Sequence, residues 1–364
     1  MRRASNVLLV VTFAAILLAP TVASLAGRSP MAALDENRAL AKRPTASLWS
    51  RDGFRRASAI AQEWELYFND HFGLRKFLIG TFRLATFHIL RVSPDPAVVV
   101  GKSDSKTKWL FFNAPAKRDG VGFDSLLGKK PYSAAAIAAI DANLKRAAAL
   151  ALTNGVRLVI AVCPDKQSVY PEYLPARLQP KPGATSRLDQ FWALTAGLEG
   201  VTLVDLRAPL KSAKGALDLY YPKDTHWNLR GAVIGYRAIA KALQAQDPVF
   251  EPMQVDSLTW VPGDPAVGDL ARMLGLPTIR GDEQPLVILP ALDVLGGKRQ
   301  GKLLVLGDSF FEGLRPFFER QFTATKKMTG ARRAGTPWLT QALLDAEKPD
   351  VVMVESVERY WTMD

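Results

Sequence analysis

A few short apolar runs limit what this chain can fold into. VRLVIAV (156–162), KLLVLGD (302–308) and VVMVES (351–356) are near-continuous hydrophobic stretches of strand length. A strand with one wet face alternates; a run without alternation is buried on both faces, the mark of a parallel sheet covered by helices. VTLVDL (201–206) and FTATKKM (322–328) add further strands. The intervening segments have helical patterning: PYSAAAIAAIDANLKRAAALALTNG (131–155, Ser133 as cap, Gly155 as stop), 185–198, LRGAVIGYRAIAKALQAQ (229–246), SFFEGLRPFFERQ (309–321) and PWLTQALLDA. Strand and helix in alternation predict a doubly wound, mostly parallel sheet in three α/β/α layers.

The flanking regions differ. MRRASNVLLVVTFAAILLAP opens with Arg2 and Arg3, then an apolar stretch from Val7 to Leu18, then small residues. This is the layout of a secretory signal; extended over 7–26 it also reaches the minimum length of a membrane anchor. Residues 1–26 are therefore read as signal or anchor, 27–53 as a tether and 54–364 as the main domain. Within it, 54–93 reads as two helices broken near Gly73, and 96–113 as a β-hairpin. Residues 247–300, rich in Pro, Gly and Asp, read as a loop-rich insertion.

Either way the remaining chain is expected to be exported, which argues against nucleic acid as a partner. The net charge of +12 favours an anionic surface or polymer. The single cysteine, Cys163, excludes an internal disulfide, and closing a buried strand it is expected to be inert. No metal-ligand spacing is evident, and no cofactor is called for.

Two motifs carry chemistry. LLVLGDSFFEG (303–313) runs from strand through Gly307-Asp308-Ser309 into a helix. The carboxyl ends of strands are where open α/β sheets bind ligands, and a helix N-terminus offers N–H groups to an anion. YYPKDTHWNLRGA places Asp224 two residues before His226, ahead of another helix. Each motif alone reads as easily as a capped helix start, with Asp308 or Ser309 in one and Asp224 or Asn228 in the other. Together they supply a nucleophile, Ser309, a general base, His226, and a carboxylate, Asp224, to orient the imidazole. In an extended segment, residues i and i+2 share a side, so Asp224 would reach the His226 ring.

The pairing of DTHWN-x-x-G with a later GDSF resembles the SGNH-hydrolase-like domain of the alginate O-acetyltransferases of bacterial exopolysaccharides. FNDHFGLR (68–75), VVVGKSDSKTKWLFF (98–112) and CPDKQSVYPEYLP (163–175) are similar to further stretches of that family, in order over roughly residues 60 to 360. The Asp/His pair preceding the serine, with one residue between Asp and His, matches the permuted order of these enzymes rather than that of ordinary SGNH hydrolases. The Gly and Asn oxyanion blocks of the latter are not evident. The resemblance implies an SGNH-like fold and an acetyl-Ser309 intermediate attacked by a polysaccharide hydroxyl that His226 deprotonates. It also implies a location in the periplasm, free or tethered to the inner membrane through residues 7–26, and a membrane-bound acyltransferase partner that delivers the acetyl group. The positive charge suits a uronic acid polymer.

Lys166 and Tyr170, just past VRLVIAV, are candidate substrate-binding groups, and Lys326, Lys327, Arg332 and Arg333 could line a polymer groove or be plain solvated surface. Glu355 and Arg359 are expected to form a structural ion pair. An acetylesterase with the same triad and a non-catalytic polymer-binding scaffold are the competing functions.

Overall fold

The computed structural model describes residues 2–25, 39–45, 55, 57–104, 107–113, 121–215, 217–256, 258–276, 281–288, 296–298, 300–329 and 335–361. By contacts the chain forms two compact units, one of Met1–Asp95 with Arg272–Thr278, the other of Pro96–Ala271 with Ile279–Asp364. Residues 54–95, read from sequence as the start of the main domain, belong to the first unit.

The first unit holds helices α1 (Arg2–Leu25), α2 (Ala57–His71) and α3 (Arg75–Leu84), the last continuing into a π-turn over Ala85–Ile89. The break expected near Gly73 falls between α2 and α3. Val7 to Leu18 are largely exposed on α1. Among the described residues no helix is long and apolar enough to cross a membrane. Most of the expected tether lies outside the described residues.

The second unit begins with an antiparallel hairpin, β1 (Val98–Asp104) and β2 (Thr107–Phe112). Next come α4 (Ala134–Thr153), β3 (Arg157–Cys163), α5 (Arg187–Thr195), β4 (Val201–Asp205) and α6 (Leu229–Gln246). Ser133 caps α4 as its sequence predicts, its side chain accepting the Ala136 N–H. After β5 (Thr259–Ala266), α7 (Asp269–Leu274, from Arg272 on assigned to the first unit) and β6 (Asp282–Ile288), the α/β alternation resumes. It ends with β7 (Gln300–Gly307), α8 (Phe311–Gln321), β8 (Phe322–Thr329), α9 (Gln341–Glu347), β9 (Val351–Val357) and α10 (Glu358–Trp361).

Five strands form one sheet in the order β4-β3-β9-β7-β8, every pairing parallel. Alternate residues feed two cores. Val159, Ala161, Val305 and Met353 pack under α6 and α8 with Tyr236, Phe311, Leu314 and Phe318. Leu158, Ile160, Leu304 and Val352 pack under α4 and α5 with Ile140, Leu144 and Phe191. This is the three-layer arrangement that the non-alternating runs predict.

One expectation is corrected. The 247–300 segment is not only loop: β5 and β6 form an antiparallel ribbon. Its prolines, Pro262 and Pro285, face each other in register, and proline is a residue of edges that masks a strand signal. Ahead of the His226 motif an isolated antiparallel bridge pairs Tyr220 with Trp227.

Candidate active site

β7 ends at Gly307, and the turn that follows is fixed by Asp308. One oxygen of its carboxylate accepts the Phe310 N–H at 2.8 Å; the other accepts the Val357 N–H at 2.7 Å, at the end of the adjacent strand β9. Asp308 thus ties the turn to the sheet edge, while the residue before α8 has no side-chain cap. Ser309 is left with its hydroxyl free for another partner.

That partner is His226. Nε2 lies 2.7 Å from Ser309 Oγ, and Nδ1 lies 2.6 Å from Asp224 Oδ1, across 83 positions of chain. The structure brings the three side chains into one line at the carboxyl edge of the sheet. The local geometry differs from the expectation: Asp224 does not reach His226 along an extended segment. Its Oδ1 accepts both the backbone N–H of His226, at 2.9 Å, and the ring N–H, so the chain turns back on itself. The helix start is real too, but Asn228 caps α6, accepting the Arg230 and Gly231 N–H groups, which leaves Asp224 for the imidazole.

The His226 loop is held over the sheet edge by buried groups. The Tyr220 hydroxyl donates to Pro164 O at 2.6 Å, just beyond β3. The Trp227 Nε1–H donates to Phe310 O at 3.1 Å, joining the two motifs directly. A methyl group on Gly313 would lie 2.8 Å from Ala232 Cβ of α6 and 3.0 Å from that nitrogen, so α8 approaches α6 and Trp227 this closely because this residue has no side chain. On the other flank, a Cβ on Gly268 would meet Lys223 O at 2.2 Å and Asp224 Cβ at 2.8 Å.

Lys166 and Tyr170 are corrected. Both are buried, and neither is placed to meet a polymer. The Lys166 ammonium spends its three protons on Asp224 O at 2.6 Å, Tyr221 O at 2.9 Å and Pro222 O at 3.0 Å. It sits over the rings of Trp109 and Phe111 of β2, whose Leu110 N–H also donates to Pro222 O. Burial lowers this ammonium to about 7, against the opposing pull of Asp269, Asp224, Asp282 and Asp218. Tyr170 accepts the Leu219 N–H at 3.0 Å, and burial raises its phenol. Sequence position past a strand end indicates nearness to the edge; it does not say whether a side chain turns outward or inward.

Other expectations also change. Arg359 pairs with Asp165 at 2.5 Å rather than with Glu355. Glu355 points from within β9 into the core, where it accepts the Cys163 thiol proton at 3.0 Å. Burial, then the Asp308 charge, raise its carboxyl, while burial and Glu355 raise the thiol. Lys326 and Lys327 are ion-paired to Glu347 and Glu312; Arg332 and Arg333 lie outside the described residues.

One acidic residue was hidden in the loop-rich segment. Asp269 donates its backbone N–H to Asp224 Oδ2 at 2.8 Å. Burial pushes the Asp224 carboxyl up, but His226 and the N–H groups of Asp269 and His226 outweigh it and hold the acid down at about 2. Asp224 is therefore an anion across the neutral range. Asp224, His226 and Asp269 offer atoms within 4.8 Å of one another, a spacing a cation could use, though Asp224 and His226 already bond to each other. The sequence held no signal for Asp269 beyond its abundance of acids.

The Ser309 backbone N–H makes no hydrogen bond among the described residues, and the Ser309–His226 contact is open to solvent. An anion formed at a carbonyl beside Ser309 has that donor to hand.

A parallel α/β sheet with a serine at the end of one strand and an Asp-x-His loop over the same edge defines an SGNH-hydrolase-like protein. The model of the "SGNH hydrolase-like domain, acetyltransferase AlgX" matches residues 98–309, more than half of the sequence. The chain belongs to that family. It is 26% identical over 277 residues to the probable alginate O-acetylase AlgJ of Azotobacter vinelandii, covering 76% of this chain and 62% of that protein. To the probable alginate O-acetylase AlgJ of Pseudomonas aeruginosa it is 25% identical over 338 residues, with 84% and 80% covered. The chain thus spans less than two thirds of the length of the first of these relatives. The O-acetyltransferase domain of Pseudomonas putida AlgJ shares the fold, with a TM-score of 0.51 at 23% identity, covering 74% of this chain and 93% of that one.

Proposed function

We propose that this chain is an O-acetyltransferase that esterifies hydroxyls of an exported, alginate-like polysaccharide through an acetyl-Ser309 intermediate. The observation that carries the reading is the unbroken line from Asp224 through His226 to Ser309 at the sheet edge. The relatives' description as alginate O-acetylases supports the substrate class.

In the first half-reaction Ser309 Oγ attacks the acetyl carbonyl carbon while His226 Nε2 takes the hydroxyl proton. Asp224 keeps the proton on Nδ1 and stabilises the imidazolium. The Ser309 N–H faces the tetrahedral oxyanion; collapse expels the donor's leaving group, which takes the proton from Nε2. In the second half-reaction a sugar hydroxyl gives its proton to Nε2 and attacks the acetyl carbon. The ester bond to Ser309 breaks, and Oγ recovers the proton. A membrane-bound acyltransferase is the proposed supplier of the acetyl group. The Arg2–Arg3 start and the Val7–Leu18 stretch support export to the periplasm. The net charge of +12 supports an anionic acceptor.

Solvent access to the Ser309–His226 contact also suits an acetylesterase, in which water replaces the sugar. The full chain incubated with an activated acetyl ester separates the readings. Acetyl transfer to oligouronate, with an acetylated Ser309 peptide trapped by mass spectrometry and lost in Ser309→Ala, is expected. Acetate release that no glycan alters would assign the esterase instead. Unchanged polymer acetylation in cells carrying Ser309→Ala would leave only a scaffold.

A further inference from the structure

We propose that Asp269 is a positioning residue that fixes the proton of His226 on Nδ1; the inference rests on the O-acetyltransferase reading above. The carboxylate takes both polar hydrogens of Thr225, the residue between acid and base. Oδ1 accepts the Thr225 N–H at 2.8 Å, and Oδ2 accepts the Thr225 hydroxyl proton at 2.6 Å. The backbone N–H of Asp269 holds Asp224 Oδ2. One residue of the β5–β6 segment therefore clamps the Asp224–Thr225–His226 turn at three points.

The hydroxyl is what matters for the chemistry. Thr225 Oγ1 lies 3.3 Å from His226 Nδ1, close enough to compete with Asp224 Oδ1 at 2.6 Å. A threonine hydroxyl has one proton to donate. While Asp269 holds that proton, Thr225 presents only lone pairs to Nδ1. Both neighbours of Nδ1 are then acceptors, so Nδ1 carries the hydrogen and Nε2 is the bare nitrogen facing Ser309. Without Asp269 the hydroxyl is free to turn and donate to Nδ1. Part of the population then carries the ring proton on Nε2, which cannot receive the Ser309 proton, and a wrong tautomer is costly in such triads. Asp269 Oδ2 itself stands 3.8 Å from Nδ1, too far to replace Asp224 as its hydrogen-bond partner.

The test uses the full chain labelled with ¹⁵N-histidine, which has three histidines to resolve. The wild type is expected to give the Nδ1–H tautomer for His226, and Asp269→Ala a mixture. For Asp269→Ala, kcat on an activated acetyl ester is expected to fall at least about tenfold with KM little changed, since the lost element is alignment of the base. Thr225→Val removes the competing donor, so Asp269→Ala/Thr225→Val should regain activity relative to Asp269→Ala alone. If Asp269→Ala fails to fold, the spectrum and kcat of Asp269→Asn serve, with the same direction expected. A wild-type tautomer with kcat within twofold, a loss confined to KM, or no recovery on adding Thr225→Val overturns the proposal. Ser309→Ala keeps the two questions apart: full acetyl transfer by that variant overturns the enzyme reading itself. An inactive Ser309→Ala beside a normal Asp269→Ala overturns only the role of Asp269.

Discussion

Replacing Lys166 by methionine tests how the base-bearing loop is held. Methionine keeps the length and packs on Trp109 and Phe111, but it withdraws three donors. Two of the carbonyls stay satisfied: Pro222 O keeps the Leu110 N–H at 2.8 Å, and Tyr221 O keeps that of Asp224 at 3.4 Å. Asp224 O alone is orphaned, at a cost of about 1–3 kcal/mol. Against this stands the cost of burying a cation. Burial lowers Lys166 to about 7 in the folded chain from an ordinary 10.5. Between those values the unfolded chain binds more protons than the folded one, so the lysine's contribution to stability rises with pH, by about 1.4 kcal/mol per unit. The wild type should therefore gain on Lys166→Met from pH 7 toward pH 10, while below pH 7 the difference is constant. Urea unfolding of both proteins at pH 6, 8 and 10 measures this, all other titrating groups being shared. Acetyl-ester turnover should fall at least about tenfold at pH 7, because the freed carbonyl belongs to Asp224 itself. A stability difference flat from pH 7 to 10, or turnover within twofold of wild type, would refute the reasoning.

Two further outcomes follow from close packing and burial. Gly268→Ala forces a methyl against Lys223 O and Asp224 Cβ; it is expected to cost about 1–3 kcal/mol in urea unfolding and to lower turnover, and a neutral result on both would show that the loop has slack. Cys163, whose thiol is raised by burial and by Glu355, should resist a thiol-specific disulfide reagent at pH 8 in the native protein and react once in urea; rapid native labelling would show that the back of the sheet opens.

The sheet was legible because burial on both faces removes the alternation that would otherwise make VRLVIAV or VVMVES ambiguous. Ser309, His226 and Asp224 were legible as two helix-start motifs whose chemistry makes sense only together. What the sequence concealed is direction. Lys166 follows a strand as a ligand-binding lysine would, yet it turns inward, because three carbonyls and two aromatic rings offer the ammonium a place. Glu355 looked like a partner for Arg359, but in β9 it shares a face with Met353 and Val357 and so enters the core. Asp269 acts through contacts 44 and 45 residues distant, within a Pro- and Gly-rich stretch that has neither helical nor strand periodicity.

The indole of Trp227 has an implication for how such proteins diversify. Because its N–H is bonded to Phe310 O, one rigid ring joins the two motifs directly, apart from the polypeptide that links them. That polypeptide can accept insertions that leave Gly268 and Asp269 against the His226 turn without retuning the reacting distance.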